Sequence, residues 1–585
     1  MIKTFSKLNF FLSAKNKMKL FYFILIGILV SILEMIGIGI IPIYLSFLLD
    51  PDSIKNYLYF DDLIVFFETT SSKELVIFVS SILVTYFIIK NLIIFGLNLY
   101  QARFFKDFNL ETSKRLFSYY INSSLLNIKN INTAFAQRNI TGETVRAGKF
   151  IEALLSTLRE ILIVITLIIL LLVVDYKSTL IVLIILGVFS LVFQNLIKSS
   201  IIKKSTKAQY ESGQANKIIF HAFGAIKTIK ILNKENFFLN RFNSSINDVY
   251  NLNFWISLLS KIPKLVLEIF AVFTIVVIVI FLIYSNNYDD LNQSIGFLVL
   301  LGAATIKLFP SISAINSFST TIRSSSVSFN FIINEFSKYK YNNEDKILNA
   351  KIVKIDEKID FQNELYLNNI TFKYPETNNL VLNEASLKIK SKNIIGILGR
   401  SGSGKSTLLD LISLLITPEK GDIRVDGKII SDVKKWQNNI GYITQDTYLL
   451  DESIKDNIAF GEEKKTLNED RLKKAIEFSQ LKDFVNSLQN GVETIIGEKG
   501  SKISGGQIQR IAIARSLYRN NGLLILDEST NSLDLITENN FLKDLKKLKE
   551  ICTIIIVSHK LDTLKICDHV FEIKNGKITS SVKDK

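Results

Sequence analysis

Apolar residues follow two patterns that divide the chain. Up to about residue 335 they form long unbroken runs, near 20–49, 75–101, 152–174, 178–200, 262–284 and 295–320. As helices, such runs cross a hydrocarbon core of roughly 30 Å. Hydropathy then falls through the polar, charge-rich stretch Ser337–Lys358. Beyond it the apolar runs shorten to strand length, as in Ile394–Leu398 and at the starts of Leu523–Glu528 and Thr553–Lys560. Leu365–Pro375 alternates like a half-exposed strand. The pattern predicts an all-α six-helix transmembrane domain over 1–335, a linker over 336–358 and an α/β domain over 359–585.

Composition agrees with a membrane protein. Hydrophobic residues make up 48% of the chain, yet the net charge is +15. Mean hydropathy is +0.27. The basic residues flank apolar spans and form no nucleic-acid-binding module, so no nucleic acid partner is expected. Lys3, Lys7, Lys15, Lys17 and Lys19 precede the first span without an acidic residue, which places that end in the cytoplasm. Residues 50–74 hold two lysines against Asp50, Asp52, Asp61, Asp62, Glu68 and Glu74, and read as external. Links 175–177 and 285–294 are short and face the same side. Links 102–150 and 201–260 are long, basic and helical, and project into the cytoplasm. Within them, Asn130–Arg146 and Ala222–Asn233 read as short transverse segments. Cys552 and Cys567 are the only cysteines, which argues for a reduced compartment and against a disulfide or zinc site. The first run is too long for the core of a secretory signal and lacks a small-residue cleavage site.

Charged groups inside spans are costly and are functional candidates by default. Lys90 and Lys307 sit mid-span, the latter three residues before Pro310. Lys264 follows Pro263 near the cytoplasmic start of the fifth span. Glu34, Arg159, Glu160 and Glu268 are further cases, and Lys264 and Glu268 stand four apart, a pairing distance on a helix. If Lys90, Lys264 and Lys307 converge they form a cationic patch suited to a phosphate or pyrophosphate.

Chemistry concentrates in the second half. Gly399, Arg400, Ser401, Gly402, Ser403, Gly404, Lys405, Ser406 and Thr407 match the phosphate-loop pattern G-x-x-x-x-G-K-[ST] between a strand and a helix. Backbone N–H groups of such a loop surround phosphate oxygens. Lys405 then reaches the β- and γ-phosphates, and Ser406 ligates Mg²⁺. More motifs follow in order: Gln445 after a short strand, SGGQ at Ser504–Gln507, Asp527 and Glu528 ending an apolar strand, NSLD at Asn531–Asp534, and His559 after another strand. Tyr374 stands ahead of the loop, where an aromatic stacks on adenine or packs on the sheet.

Taken together, these motifs make the chain resemble an ABC half-transporter of the exporter type. The resemblance implies that Tyr374 is the adenine-stacking residue, Gly399–Ser406 the Walker A motif and Gln445 the Q-loop glutamine. It makes Ser504, Gly505, Gly506 and Gln507 the signature motif, here preceded by Ile503 where leucine is usual. Asp527 becomes the Walker B aspartate, Glu528 the general base, Asp534 part of the D-loop and His559 the switch histidine. Gly497–Gly500 resembles the short exporter motif ahead of the signature, and Gly224–Glu235 the second coupling segment. ATP and Mg²⁺ are then the expected cofactors, with Ser406, Gln445 and Asp527 as metal ligands and Glu528, His559, Lys405 and Gln445 as catalytic groups. One chain holds one Walker A and one signature, so the resemblance implies a homodimer in which Ser504–Gln507 acts across the interface.

The membrane half resembles bacterial flippases of lipid-linked oligosaccharides, through Ser53–Thr70 as a small external helix and through Lys90, Lys264 and Lys307. The expectation is an inner-membrane transporter moving an anionic lipid-linked substrate. Export of another lipid, a peptide or a drug is the alternative. A nucleotide-gated channel or regulator is a third, disfavoured by an intact Glu528 and signature.

Overall fold

The computed structural model describes residues 14–49, 72–129, 131–285, 291–340, 357–375, 377–463, 465–529 and 535–581. The chain divides into two units, Met1–Ser123 with Ile128–Asn349, and Ser124–Asn127 with Ala350–Lys585. The expected external helix Ser53–Thr70 and the segment Asn531–Asp534 lie outside the described residues.

Six long helices build the first unit: α1 (Ala14–Leu49), α2 (Ser72–Asn122), α3 (Thr144–Val174), α4 (Tyr176–Gly224), α5 (Glu235–Ser285) and α6 (Leu291–Lys340). Each contains one of the six apolar runs. Among the described residues, Asn16–Leu45, Lys73–Asn122, Thr133–Val174 and Val299–Ser337 are long and apolar enough to cross a membrane. Large apolar side chains such as Ile77, Leu92, Leu196 and Ile269 stand exposed along these helices, as expected where hydrocarbon replaces water.

Packing inside the unit is helix on helix, α3 along α6 and α4 along α5. One core gathers Phe104, Phe108, Leu116, Phe150, Ile151, Phe329 and Phe336. Phe150 stacks on Phe329 with ring centroids 4.3 Å apart. A second core gathers Ile163, Leu167, Leu267, Ile278, Leu300 and Leu308.

The two long links contain the expected breaks, one of them displaced. A short helix, Leu125–Lys129, stands ahead of the expected Asn130–Arg146. Residues 133–143 instead form a helix and a π turn, Asn139–Glu143, that run directly into α3. Asn132 caps that helix by accepting from the Ala134 N–H, so the polar run starts a helix rather than bridging one. Another short helix, Ile226–Ile231, falls inside the expected Ala222–Asn233.

Polar groups tie this end of the unit together. Tyr120 donates to Glu335 at 3.0 Å and accepts from Asn139 at 3.0 Å. The fully buried Glu143 accepts from Gln209 at 2.8 Å and lies 3.4 Å from Arg146 and 3.7 Å from Arg138.

Two sheets build the second unit. An antiparallel sheet has the order β2 (Leu382–Lys390), β1 (Glu364–Phe372), β4 (Lys420–Val425), β5 (Lys428–Ile429). The main sheet runs β10 (Lys577–Ser581), β9 (His569–Lys574), β3 (Ile394–Leu398), β8 (Thr553–Val557), β7 (Leu523–Asp527), β6 (Ile440–Ile443). Its strands are parallel from β9 to β6, and β10 closes the edge antiparallel. The runs of β3, β7 and β8 are buried on both faces, which is why they read as continuous apolar stretches. Helices α7 (Lys405–Ile412), α8 (Gly505–Tyr518) and α9 (Leu535–Leu548) complete the cores. Trp436 is fully buried beside α7 and donates its indole N–H to the Ile412 carbonyl at 2.8 Å.

Candidate functional site

Parallel strands put their carboxyl ends on one edge. Asp527 is in register with Val557, Ile443 with Leu526, and Ile397 with Val557. The residues that follow these strands therefore emerge together: the Gly399–Thr407 loop, Gln445, Glu528 and His559. This edge is where ligands bind in parallel α/β sheets.

The loop wraps the start of α7. Gly402 and Gly404 have φ of +78° and +102°, a region open to glycine at little cost. A Cβ on Gly404 would come within 2.9 Å of Val381 Cγ1. Gly404 also gives α7 no side-chain cap, so the first N–H groups of the helix point outward without helical partners. The Ser403 hydroxyl is buried in the loop with no hydrogen-bond partner. These leftover donors fit phosphate oxygens. Lys405 is held ready by the loop itself, donating to the carbonyls of Gly399 at 2.8 Å and Arg400 at 3.1 Å. Tyr374 shares a 3.0 Å hydrogen bond with Thr407 and meets Phe372 edge-on at 5.2 Å. It thus packs against the sheet residue Phe372 and borders the phosphate loop.

Glu528 sits at the centre. Oε1 lies 2.8 Å from His559 Nε2, and Oε2 accepts from Gln445 Nε2 at 3.2 Å. Its backbone is left-handed, with φ of +49°, a strained state for a residue of this kind. His559 Nε2 is also 3.3 Å from Lys405 Nζ. With its proton on Nε2 the imidazole serves Glu528, and the ammonium takes its acceptors from the loop.

Asp527 faces the opposite pressure. Burial first, then the charges of Glu528 and Asp410, raise its carboxyl above the usual range. The Tyr442 hydroxyl, 3.4 Å from Asp527 Oδ2, steadies it. The same burial and the Asp527 charge push the Tyr442 phenol up. Crowded carboxylates beside an exposed Ser406 hydroxyl and the Gln445 amide form a hard oxygen donor set suited to Mg²⁺. Bound there, the ion would neutralise this charge and that of the phosphates. Sequence reasoning missed Tyr442 and Asp410. Tyr442 lies on β6 three residues before Gln445, and Asp410 is one α7 turn beyond Ser406, so spacing offered the signal.

The signature segment stands apart from this cluster. Ser504 caps α8 in a reciprocal box with Gln507, at 3.3 Å and 2.8 Å. Among the described residues no hydrogen bond joins it to the phosphate loop. Ile503 packs on the apolar cluster of Leu449, Ile454, Ile511 and Tyr518, so its departure from leucine is absorbed by packing. Asp534 lies outside the described residues.

The expected cationic patch is revised. Lys90 and Lys307 do converge, but onto Glu34, at 3.1 Å and 2.7 Å. Lys264 is exposed and no ion pair ties it to that cluster or to the exposed Glu268 among the described residues. Helix geometry explains this: Pro263 and Lys264 lie on α5, while the ion-pair cluster is built by α1, α2 and α6. Arg159 pairs with Glu160 at 3.0 Å and donates to Asn98 at 2.9 Å.

Comparison with known proteins identifies both units. Residues 150–306 match the ABC transporter transmembrane region and residues 382–531 the ABC transporter family. The leukotoxin translocation ATP-binding protein of Mannheimia glucosida is 38% identical over 226 residues, 38% of this chain and 32% of that protein. The alpha-hemolysin translocation ATP-binding protein of Escherichia coli is 37% identical over 228 residues, 39% of this chain and 32% of that protein. The matches thus span about a third of these relatives' length. A bacterial Atm1-family ABC exporter solved with ATP bound superposes with a TM-score of 0.75, covering 96% of this chain and 94% of that chain at 19% identity. The chain thus carries one stretch similar to the ABC transporter transmembrane region and one similar to the ABC transporter family, and shares the fold of that Atm1-family exporter.

Proposed function

We propose that the protein is an ATP-driven exporter that works as a homodimer in the inner membrane, with its ATP-binding domain in the cytoplasm. The observation that carries this reading is the convergence of Lys405, Gln445, Glu528 and His559 at one sheet edge beside a glycine-rich phosphate loop. ATP and Mg²⁺ bind that edge. Glu528 orients and deprotonates the attacking water as general base. Lys405 and His559 stabilise charge on the transferred phosphoryl group. Ser504–Gln507 of a second copy closes over the nucleotide, which agrees with its separation from the loop within one chain.

The cargo in this reading is an amphipathic, anionic lipid-linked molecule such as a lipid-linked oligosaccharide. Its support is the excess positive charge at Lys90 and Lys307 against the single carboxylate of Glu34. The test is reconstitution of the full chain in liposomes with a fluorescent polyprenyl-pyrophosphate glycan. ATP-dependent movement of the probe between leaflets is expected, and ATP hydrolysis without movement refutes the cargo. A polypeptide cargo is the second reading. It is favoured by the relatives, which are named as toxin translocation proteins. Stimulation of ATP hydrolysis by a polypeptide and not by the lipid decides for it.

A further inference from the structure

Three helices of the membrane unit contribute one ionised group each to a single cluster. Glu34 comes from α1, Lys90 from α2 and Lys307 from α6. Glu34 uses both oxygens, Oε2 for Lys90 at 3.1 Å and Oε1 for Lys307 at 2.7 Å. The three are not equivalent. The Glu34 and Lys90 side chains are 5% and 8% exposed, whereas that of Lys307 is 37% exposed.

Lys90 is enclosed by construction. Its Nζ lies 4.4 Å from the centre of the Phe87 ring. Gly37 of α1 packs closely on this face of α2, since a Cβ there would stand 3.3 Å from the Tyr86 ring. The Tyr86 hydroxyl donates to the Leu33 carbonyl and so fixes α2 against α1 beside Glu34. A buried ion survives only when paired, and Glu34 and Lys90 satisfy each other. Lys307 then brings a second positive charge to a carboxylate that is already neutralised. Its ammonium has three donors and an open side.

On the reading that the cargo is anionic, we infer that Glu34 is an internal counter-ion that holds Lys307 in place of the cargo's negative group and yields it when that group arrives. Lys90 keeps Glu34 charged and in position throughout. Exchange of partners keeps the Lys307 ammonium paired throughout, and the arriving anion offsets the excess positive charge of two ammoniums against one carboxylate. It also removes an ionic tie between α1 and α6, so cargo arrival is felt as a change in helix attachment. Neutral amphiphiles leave the tie intact.

The experiment uses the full chain in phosphatidylcholine nanodiscs with farnesyl pyrophosphate, farnesol or inorganic pyrophosphate as probe. Probe binding and probe-dependent ATP hydrolysis are both read. Glu34→Gln is expected to lower the half-saturating concentration of farnesyl pyrophosphate about tenfold, with no change for farnesol. Because Glu34→Gln strands Lys90, the double variant Glu34→Gln/Lys90→Gln is measured beside it. It is expected to fall between Glu34→Gln and the unmodified chain, while Lys307→Gln loses the response. The same shift with inorganic pyrophosphate supports the exchange and locates recognition in the phosphate group. If the unmodified chain responds to farnesyl pyrophosphate and both Glu34 variants respond equally or more weakly, Glu34 is a structural partner and the exchange is wrong. If neither the unmodified chain nor Glu34→Gln binds farnesyl pyrophosphate, the anionic cargo itself is wrong and the exchange goes with it.

Discussion

Glu528 Oε1 and His559 Nε2 lie 2.8 Å apart, joining the residues that follow β7 and β8. The neighbouring strands make this meeting a property of sheet register rather than of loop chance. Replacing Glu528 with glutamine keeps shape and a hydrogen-bonding oxygen but removes the base. ATP turnover is expected to fall about 10²–10⁴-fold, the usual worth of general base catalysis. Nucleotide binding is expected to persist. Phosphate release and binding of a fluorescent ATP analogue measure the two separately, and undiminished release would remove Glu528 from its assigned role.

Asp527 carries a stability cost that Mg²⁺ relieves. Its carboxyl is raised by burial, by Glu528 and by Asp410, so the folded state holds a proton more tightly than the unfolded chain. Stability from this group is therefore present at low pH and is lost as pH rises from the usual carboxylate value through the raised one. Asp527→Asn is expected to raise the melting temperature of the metal-free protein at pH 7 by about 2–4 °C, the shift that ~1 kcal/mol gives at this size. The gain should shrink at pH 5 and reverse when Mg²⁺ and ATP are added. Calorimetry at the two pH values checks the sign.

The phosphate loop separates two kinds of glycine. Gly402 has open space around it and Gly404 does not, although both are left-handed. Gly402→Ala is expected to cost about 1–2 kcal/mol, the backbone strain alone. Gly404→Ala adds a clash with Val381 and should cost more while abolishing ATP binding. Chemical denaturation and nucleotide binding on both variants resolve the difference.

Trp436 anchors the far end of α7 through its indole N–H to Ile412. Trp436→Ala is expected to destabilise the ATP-binding domain by about 3–5 kcal/mol. Trp436→Phe keeps most of the volume and should lose about 1 kcal/mol with the hydrogen bond. An equal loss for both would mean that the bond, not the packing, secures the helix.

Much of this was legible in the residues. Unbroken apolar runs located all six long helices, because hydrocarbon burial acts on every face of a span. Asp527, Glu528 and His559 were legible because strands β7 and β8 are apolar on both faces and end abruptly in polar groups. Partnerships across helices were not. Nothing in spacing links Glu34 to Lys307, which depends on how α1 and α6 rotate against each other. The expected segment Asn130–Arg146 holds a helix start for a local reason. Asn132 works as a helix cap, and a polar cap and a polar loop have the same composition.

Tyr120 and Glu335 bond to each other across 215 positions of sequence. During synthesis the second helix emerges long before its carboxylate partner exists. The knot at that end of the bundle can close only after the final helix has left the ribosome and threaded into place. Until then, Tyr120 has Asn139 as a partner but not Glu335. Truncation within the last helix should therefore undo the beginning of the bundle as surely as its end.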